Sequence, residues 1–350
     1  MKPLVAKPNR ISTRPMTSSD QPPSPDQLFS LLSEDAFEEA VTWLNDLSTA
    51  DTETRKRTLQ TVRSHAEANP GQFDGLAAQL TTFLTDEDRA IRLTTAKLFV
   101  TLARTEPAVA RPVVDALADR LADDEEFYYV RARCAEALGY VGREHPEAVS
   151  DPAILADFRI GLSFDEPEVK EKLAKALECV ALGDPSRLRH QVESLAEHLD
   201  DDGELVRYHL CTALAAVGCE HPGKLADGRD ALAGRLSDTD ENPYTRGRAA
   251  EALGLLEGVN GEGVAVPDEI DVDGDEAAEF VRSRLAFSRA AGTEQSVDRT
   301  ANVGTLDSLQ SGTEAVVDAM TTPDGDECPH CGLAVPEGGP PMCPRCGAPR

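Results

Sequence analysis

Apolar positions in residues 28–257 recur with helical spacing, and the pattern returns every 37 or 39 residues. Five prolines mark the starts of successive units: Pro70, Pro107, Pro146, Pro185 and Pro222. After each proline come an apolar-periodic segment, an acidic turn and a second amphipathic segment. Because a period of 3.6 residues places apolar positions on one side of a helix, each unit is predicted to be a helix pair. Six such pairs are predicted.

The second helix of each pair opens with an apolar residue or threonine followed by a basic residue. These openings are Thr54-Arg55, Ile91-Arg92, Val130-Arg131, Val169-Lys170, Val206-Arg207 and Thr245-Arg246. We number the first residue of each opening position 0. Positions +4, +5, +7 and +8 are then apolar or small, as at Cys134, Ala135, Ala137 and Leu138. A lone helix cannot bury such a stripe, so the pairs are predicted to stack around a continuous core.

The stretch Val130-Arg-Ala-Arg-Cys-Ala-Glu-Ala-Leu-Gly139 resembles the second helix of a HEAT repeat, of the short type found in phycobilisome lyases. Ala249-Ala-Glu-Ala-Leu-Gly254 repeats its end. The resemblance covers residues 28–257 and implies an all-α fold, a right-handed α-solenoid of about six HEAT-like helix pairs. It also implies a ladder in which turn aspartates pair with the basic residues at position +1. Such solenoids serve many roles, so the fold alone fixes no function.

The flanking segments have a different character. Residues 1–27 are polar and rich in proline, which predicts a disordered tail. Residues 258–327 are predicted to be an acidic linker that contains two amphipathic segments. The first, at 275–291, is expected to cap the last repeat. The second, at 306–320, is either a packed flap or a helix that docks on a partner, and the flap is favoured.

The C-terminal residues 328–350 contain two Cys-x-x-Cys-Gly motifs. Their cysteines are Cys328, Cys331, Cys343 and Cys346. Four thiolates at this spacing are typical of a structural Zn²⁺ site, which predicts a small zinc ribbon. Four protein ligands leave no open coordination position, so the site is expected to be structural. A rubredoxin-like iron site is the less favoured alternative.

The charge balance describes the surface of the chain and the classes of partner that suit it. The 350 residues carry 63 acidic and 35 basic side chains, for a net charge of −28. This lysine-poor, acidic composition resembles that of proteins from salt-loving microbes. The net charge disfavours binding to nucleic acid. Since no run of about 18 apolar residues occurs, no membrane span is predicted. We therefore expect a cytoplasmic protein.

Positions +3 and +6 of the second helices lie opposite their buried faces. In HEAT solenoids these helices line the concave surface, so the resemblance implies a groove there. Its predicted partner-binding residues are mostly basic: Arg57, Lys97, Arg133, Lys172, Lys175, His209 and Arg248. The predicted groove-edge aromatics are Tyr129, Tyr208 and Tyr244, since tyrosine often anchors protein partners. The alternative is a solvated face with local ion pairs, such as Arg133–Glu136 and Arg248–Glu251.

These patterns favour a binding protein over an enzyme. No His-Glu dipeptide, Ser/His/Asp set, phosphate-binding loop or catalytic carboxylate pair stands out. The remaining cysteines are Cys134, Cys179, Cys211 and Cys219, and no reactive role is favoured for them. Cys134 and Cys211 fall on the buried faces of second helices, where structural thiols are expected. We therefore predict a non-catalytic scaffold that binds an acidic segment of a protein partner in its groove, with the ribbon as a second contact. Two alternatives stay open, a maturation factor related to cofactor lyases and a nucleic-acid-associated protein that uses groove and ribbon.

Overall fold

The computed structural model describes residues 24–260, 266–267, 270, 275–291 and 303–321. All regular elements in these ranges are helical. Residues 1–23 of the predicted tail lie outside the described residues, and so does the whole predicted zinc ribbon.

Sixteen α-helices form the described part of the chain. They are α1 (Pro25–Ser33), α2 (Phe37–Ser48), α3 (Thr52–Ala68), α4 (Ala77–Leu80), α5 (Arg89–Thr105), α6 (Pro107–Ala110), α7 (Val114–Ala122), α8 (Tyr128–Glu144), α9 (Pro152–Gly161), α10 (Pro167–Gly183), α11 (Val192–Ala196), α12 (Glu204–Glu220), α13 (Arg229–Ser237), α14 (Pro243–Asn260), α15 (Asp275–Ala290) and α16 (Leu306–Thr321).

The six predicted second helices are α3, α5, α8, α10, α12 and α14. Each has 17 or 18 residues and packs beside the next one along the chain, which builds the stacked arrangement that the repeat pattern predicted. The first helices are shorter and are partly replaced by 3₁₀ turns. In the second repeat, for example, Gly75 has φ +72°, and the chain turns there between the 3₁₀ segment Pro70–Phe73 and α4.

The acidic turns and the prolines start the second helices. The Asp51 carboxylate accepts a hydrogen bond from Thr54 N at 3.0 Å, and the Asp88 carboxylate accepts one from Ala90 N at 2.7 Å. These contacts satisfy backbone donors that would otherwise lack a partner in the first helical turn. Pro167 and Pro243 occupy the first positions of α10 and α14, where a missing backbone N–H costs nothing.

A single apolar core runs through the stacked pairs. It consists mainly of leucine, valine and alanine side chains, including all four of the predicted stripe positions of α8. Small residues bring adjacent second helices close together. A Cβ atom at Gly139 of α8 would lie 2.7 Å from the Cα of Ala176 in α10, so only glycine fits at this crossing.

The predicted ladder between repeats is confirmed at four junctions. The ion pairs are Arg55–Asp86 at 2.9 Å, Arg92–Glu126 at 2.8 Å, Lys170–Asp201 at 2.5 Å and Arg207–Glu241 at 2.6 Å. Two of the acids are glutamates and not the expected aspartates. Arg131 departs from the pattern, because its guanidinium lies over the Phe164 ring at 4.6 Å and donates to Leu121 O.

The two C-terminal helices pack on the solenoid. Helix α15 lies along α14, as the predicted cap of the last repeat, and α16 contacts α12 and α10. The segment 306–320 is therefore packed within its own chain, which is the favoured flap interpretation. No helix in the described part is both long and apolar enough to cross a membrane.

Candidate functional site

The predicted groove is the surface formed by positions +3 and +6 of the second helices, which we call the inner face. Its side chains fall into two groups. Those of α3, α5, α8 and α10 form what we call the open half: Arg57, Lys97, Arg133, Lys172 and Lys175. Those of α12 and α14, together with Tyr208, form what we call the covered half, because α15 and α16 pack there: Tyr208, His209, Arg248 and Glu251.

The open half begins with exposed charges. Arg57 and Glu53 form an ion pair at 3.4 Å, and both side chains are more than 70 % exposed. Lys97 is partly exposed, and Arg104 in the last turn of α5 is exposed. At the exposure of Arg57 and Glu53, the two charges interact weakly with each other and remain accessible to a ligand.

Glu136 organises the other end of the open half. Its carboxylate is buried and lies 2.7 Å from Arg133 Nη1, 3.8 Å from Lys175 Nζ and 3.9 Å from Lys172 Nζ. Burial acts to raise the pKa of this carboxyl group, but the three cations outweigh it and hold the pKa at about 2. Lys175 also donates to Tyr140 Oη at 2.8 Å. The carboxylate is therefore ionised over the ordinary pH range and ties α8 to α10.

Nearby carboxylates therefore neutralise more of the positive charge of the inner face than the sequence suggested. Lys172 pairs with Glu171 at 2.8 Å as well as with Glu136. The two local pairs of the alternative interpretation are both present, Arg133–Glu136 at 2.7 Å and Arg248–Glu251 at 2.6 Å. Carboxylates from the second helices themselves balance much of the positive charge.

The covered half contains a buried ion cluster. Arg248 is fully buried, contacts Glu251 at 2.6 Å, and donates to Tyr208 Oη at 3.1 Å. Arg284 of α15 contacts the same carboxylate at 3.0 Å, and Gly304 N donates to it at 2.8 Å. Burial opposes ionisation of Glu251, but Arg248 and Arg284 lower its pKa. Two guanidinium groups therefore share one carboxylate.

Three residues that were predicted to be exposed in the groove or at its edge are buried in the structure, so their predicted exposure was wrong. Arg248 lies beneath α15 and α16, in contact with Phe280 and Thr313. His209 is buried, and its Nδ1 lies 2.8 Å from Glu178 Oε2. Tyr208, predicted at the groove edge, is also fully buried. The sequence could not reveal this, because the covering helices come from outside the repeats.

The other two predicted edge tyrosines, Tyr129 and Tyr244, each pack against a neighbouring aromatic ring. Tyr129 is partly exposed and packs against Phe127 and Tyr128 at the start of α8. Burial, with the nearby Glu168 carboxylate, raises the pKa of Tyr129 to about 12. Tyr244 packs edge-on against Phe280 of α15, with ring centroids 5.1 Å apart.

Helix α16 is held on the inner face by both polar and apolar contacts. Arg143 Nη2 donates to Gln310 O at 2.8 Å, and Gln310 Nε2 donates to Leu182 O at 2.7 Å. The buried residues of α16 are Leu309, Thr313 and Val316. Gln310 thus binds to the C-terminal turns of two second helices at once.

Sequence reasoning missed two buried glutamates, one in the turn that leads into α8 and one in the turn that leads into α14. Glu126 lies between Arg92 and Arg120, and Glu241 lies between Arg207 and Arg235. Both side chains are at most 1 % exposed. Each glutamate stands three residues before a tyrosine in the first turn of a second helix, so aligning the turns that lead into α8 and α14 would have paired them. Their role is to join repeats.

Three of the four described cysteines outside the predicted ribbon are buried, and Cys219 is partly exposed. Cys134, Cys179 and Cys211 are buried, and burial raises the pKa of Cys179 and of Cys211 to about 12. Such thiols stay protonated and are poor nucleophiles. Within the described ranges, no cluster of three or more His, Cys, Asp or Glu side chains is placed to hold a metal ion. The four predicted zinc ligands lie outside those ranges.

Comparisons with known proteins identify the fold. No family model and no curated protein matches this chain. A designed armadillo repeat protein matches with a TM-score of 0.53 and 19 % identity, over 61 % of this chain and 98 % of that one. An engineered protein matches with a TM-score of 0.53 and 21 % identity, over 62 % and 98 %.

A third match is to computationally designed armadillo repeat proteins for modular peptide recognition. Its TM-score is 0.51 and its identity 17 %, over 67 % of this chain and all of that one. At these identities the likeness shows the fold alone. The chain is an all-α solenoid of armadillo- or HEAT-like repeats, as predicted. The closer resemblance to phycobilisome lyases, the right-handed twist and the salt-loving origin stay predictions.

Proposed function

We propose that this chain is a non-catalytic protein-binding scaffold and that the open half of its inner face holds an acidic segment of a partner. The observation that carries the proposal is the contrast within the inner face. Arg57 is exposed on α3 and Lys97 is partly exposed on α5, whereas the covered half is already filled by the chain itself. In a chain of net charge −28, a surface with accessible cations suits a ligand of opposite charge.

The fold supports the same proposal. Side-by-side helices of equal length present side chains at a regular spacing of about 10 Å, which suits an extended segment that contacts several repeats. A match to designed repeat proteins for modular peptide recognition agrees with this role. The acidic character of the partner rests on the charges of Arg57 and Lys97 alone.

The test is affinity capture of the tagged chain from the cells that encode it, with quantitative mass spectrometry. The test variant is Arg57→Glu/Lys97→Glu, whose targets lie on the open half. The matched control is Arg111→Glu/Lys224→Glu, which makes the same charge change at exposed sites in the first-helix segments. Arg133, Lys172 and Arg248 are unsuitable targets, because reversing them would break contacts with buried carboxylates.

A partner that the wild type and the control capture, but the test variant loses at least tenfold, would support the proposal. An acidic segment of that partner should then bind the purified wild type and control more tightly than it binds the purified test variant. Equal capture by the test variant and the control would contradict the groove as the binding site.

We further propose that Cys328, Cys331, Cys343 and Cys346 bind one structural Zn²⁺ ion. The support is the pair of Cys-x-x-Cys-Gly motifs, whose thiolates complete a closed tetrahedral site. Elemental analysis of the purified chain should give one zinc per chain. Cys343→Ser/Cys346→Ser should lose it, and the control Cys219→Ser should keep it. Iron in place of zinc, or no stoichiometric metal, would contradict the proposal.

A further inference from the structure

Helix α16 has the chemistry of an acidic amphipathic ligand. Its buried residues Leu309, Thr313 and Val316 follow the i, i+4, i+7 spacing of a helix that lies in a groove. Its charged residues are Asp307, Glu314 and Asp318, with no basic residue between Leu306 and Thr321. The covered half of the inner face therefore already holds one acidic helix, from its own chain.

The surface beneath α16, which we call the seat, contains polar groups that are already paired without α16. Arg248 pairs with Glu251 and Tyr208, and His209 pairs with Glu178, all within α10, α12 and α14. Because the polar groups of the seat keep their partners when α16 leaves, departure of α16 exposes few unpaired groups.

The centre of the seat holds two guanidinium groups and only one carboxylate within contact of both. Arg248 and Arg284 share Glu251, and the buried Arg248 Nε has no hydrogen-bond acceptor among the described residues. Above Arg248, α16 supplies only the Thr313 hydroxyl, whose Oγ1 lies 3.4 Å from Arg248 Nη2. A carboxylate at the Thr313 position would meet a guanidinium that is already desolvated.

The edge of the seat has free space, and its lining contains both basic and acidic side chains. A cavity of about 500 Å³ lies between the C-terminal ends of α5 and α8 and the Glu314 side chain of α16. Arg104, Arg143 and His145 line it, together with acidic residues of the same helix ends. A helix with longer side chains than those of α16 therefore has room there.

We propose that the seat is a second binding site, for an acidic amphipathic helix of a partner protein that carries aspartate at the position of Thr313. Helix α16 occupies this site within the chain and is displaced by the partner helix. The seat and the open half are different surfaces, so this proposal and the proposed function can fail separately.

The test uses the full chain and a fluorescent peptide of residues 303–321, in its natural sequence and with Thr313→Asp. Thr and Asp have similar helix propensities, so the two peptides differ mainly at the contact with Arg248. In the protein, Leu309→Asp/Val316→Asp vacates the seat. The control Ala315→Asp/Ala319→Asp adds the same charge on the exposed side of α16. Fluorescence anisotropy measures binding.

We expect the Thr313→Asp peptide to bind the vacated chain at least tenfold more tightly than it binds the wild type or the control, where tethered α16 competes. It should also bind the vacated chain at least fivefold more tightly than the natural peptide does. Equal binding to all three proteins, or no binding to a vacated chain that retains its helical circular dichroism, would overturn the proposal. A wild type that is a dimer and becomes monomeric in the vacated variant would assign the seat to a second copy and overturn it too.

A second measurement covers the case in which the vacated chain does not fold. Single variants Thr313→Asp and Thr313→Val are compared in the full chain by hydrogen exchange of the α16 amides. Exchange in Thr313→Asp should be at least fivefold slower than in the wild type, and Thr313→Val should not reproduce this protection. Exchange that is unchanged or faster in Thr313→Asp would overturn the preference for a carboxylate.

Discussion

The two halves of the inner face come from the same repeat and yet differ in accessibility. In the open half, Arg57 pairs with Glu53 at 3.4 Å in full contact with water. In the covered half, the equivalent Arg248 pairs with Glu251 at 2.6 Å and is fully buried. Both arginines stand at position +3 of a second helix. Position in the repeat therefore fixes which way a side chain points, and the helices outside the repeats decide whether it can bind a partner.

The largest expected effect comes from the carboxylate of the covered half. Glu251→Gln leaves Arg248 and Arg284 buried without a counter-charge, which should destabilise the chain by about 3–5 kcal/mol. In a thermal melt the midpoint should fall by about 10 °C. The matched change in the open half, Glu53→Gln, should leave the midpoint unchanged. Similar midpoints for both variants would contradict the distinction between the halves.

A smaller effect is expected at Glu136, where the open half meets the rest of the inner face. Glu136→Gln removes a carboxylate that is shared by three cations, and water still reaches these cations. We therefore expect the free energy of unfolding to fall by about 2 kcal/mol near neutral pH. Urea unfolding at neutral pH measures it.

The pH dependence of this contribution follows from the lowered pKa of Glu136. Its pKa is about 2 in the folded chain and 4.5 ordinarily, so the stabilisation is present above pH 4.5 and is lost as the pH falls towards 2. The difference in unfolding free energy between the wild type and Glu136→Gln should therefore shrink over that range. A difference that stays constant down to pH 2 would show that the carboxylate does not act through its charge.

The smallest expected effect concerns the stability of α16 itself. Gly312 lies inside this helix, and a Cβ atom there would meet no other atom within 4 Å. Gly312→Ala should stabilise the helix by about 0.5–1 kcal/mol, which slows hydrogen exchange of the α16 amides about threefold. Gly234→Ala, at an equally open position in α13, should leave α16 unchanged. Faster exchange in Gly312→Ala would indicate a hidden contact.

The repeat periodicity was sufficient to predict the fold. Proline spacing, apolar stripes and the basic residue at position +1 together predicted six second helices, and four ladder pairs confirm the register, as at Arg55–Asp86. These features are local, because each depends on residues within one repeat or its neighbour. The broken first helices were harder to predict, since short turns such as the one at Gly75 interrupt an otherwise helical pattern.

The accessibility of the site was beyond sequence reasoning. The burial of Arg248 depends on Arg284 and Thr313, which lie 36 and 65 residues further along the chain and outside the repeat pattern. Similarly, Glu136 of α8 neutralises Lys172 and Lys175 of α10 only because the two helices pack together. Sequence identified the basic positions and the local pairs Arg133–Glu136 and Arg248–Glu251, but the contacts between helices come from the fold.

Hydroxyl-radical footprinting of two tyrosines tests the division of the inner face most directly. Tyr140 contacts Lys175 in the open half and is partly exposed, whereas Tyr208 contacts Arg248 in the covered half and is fully buried. Mass spectrometry of the oxidised full chain should find at least tenfold less modification at Tyr208 than at Tyr140. Comparable modification of the two rings would contradict the account, because the covered half would then be open to solvent.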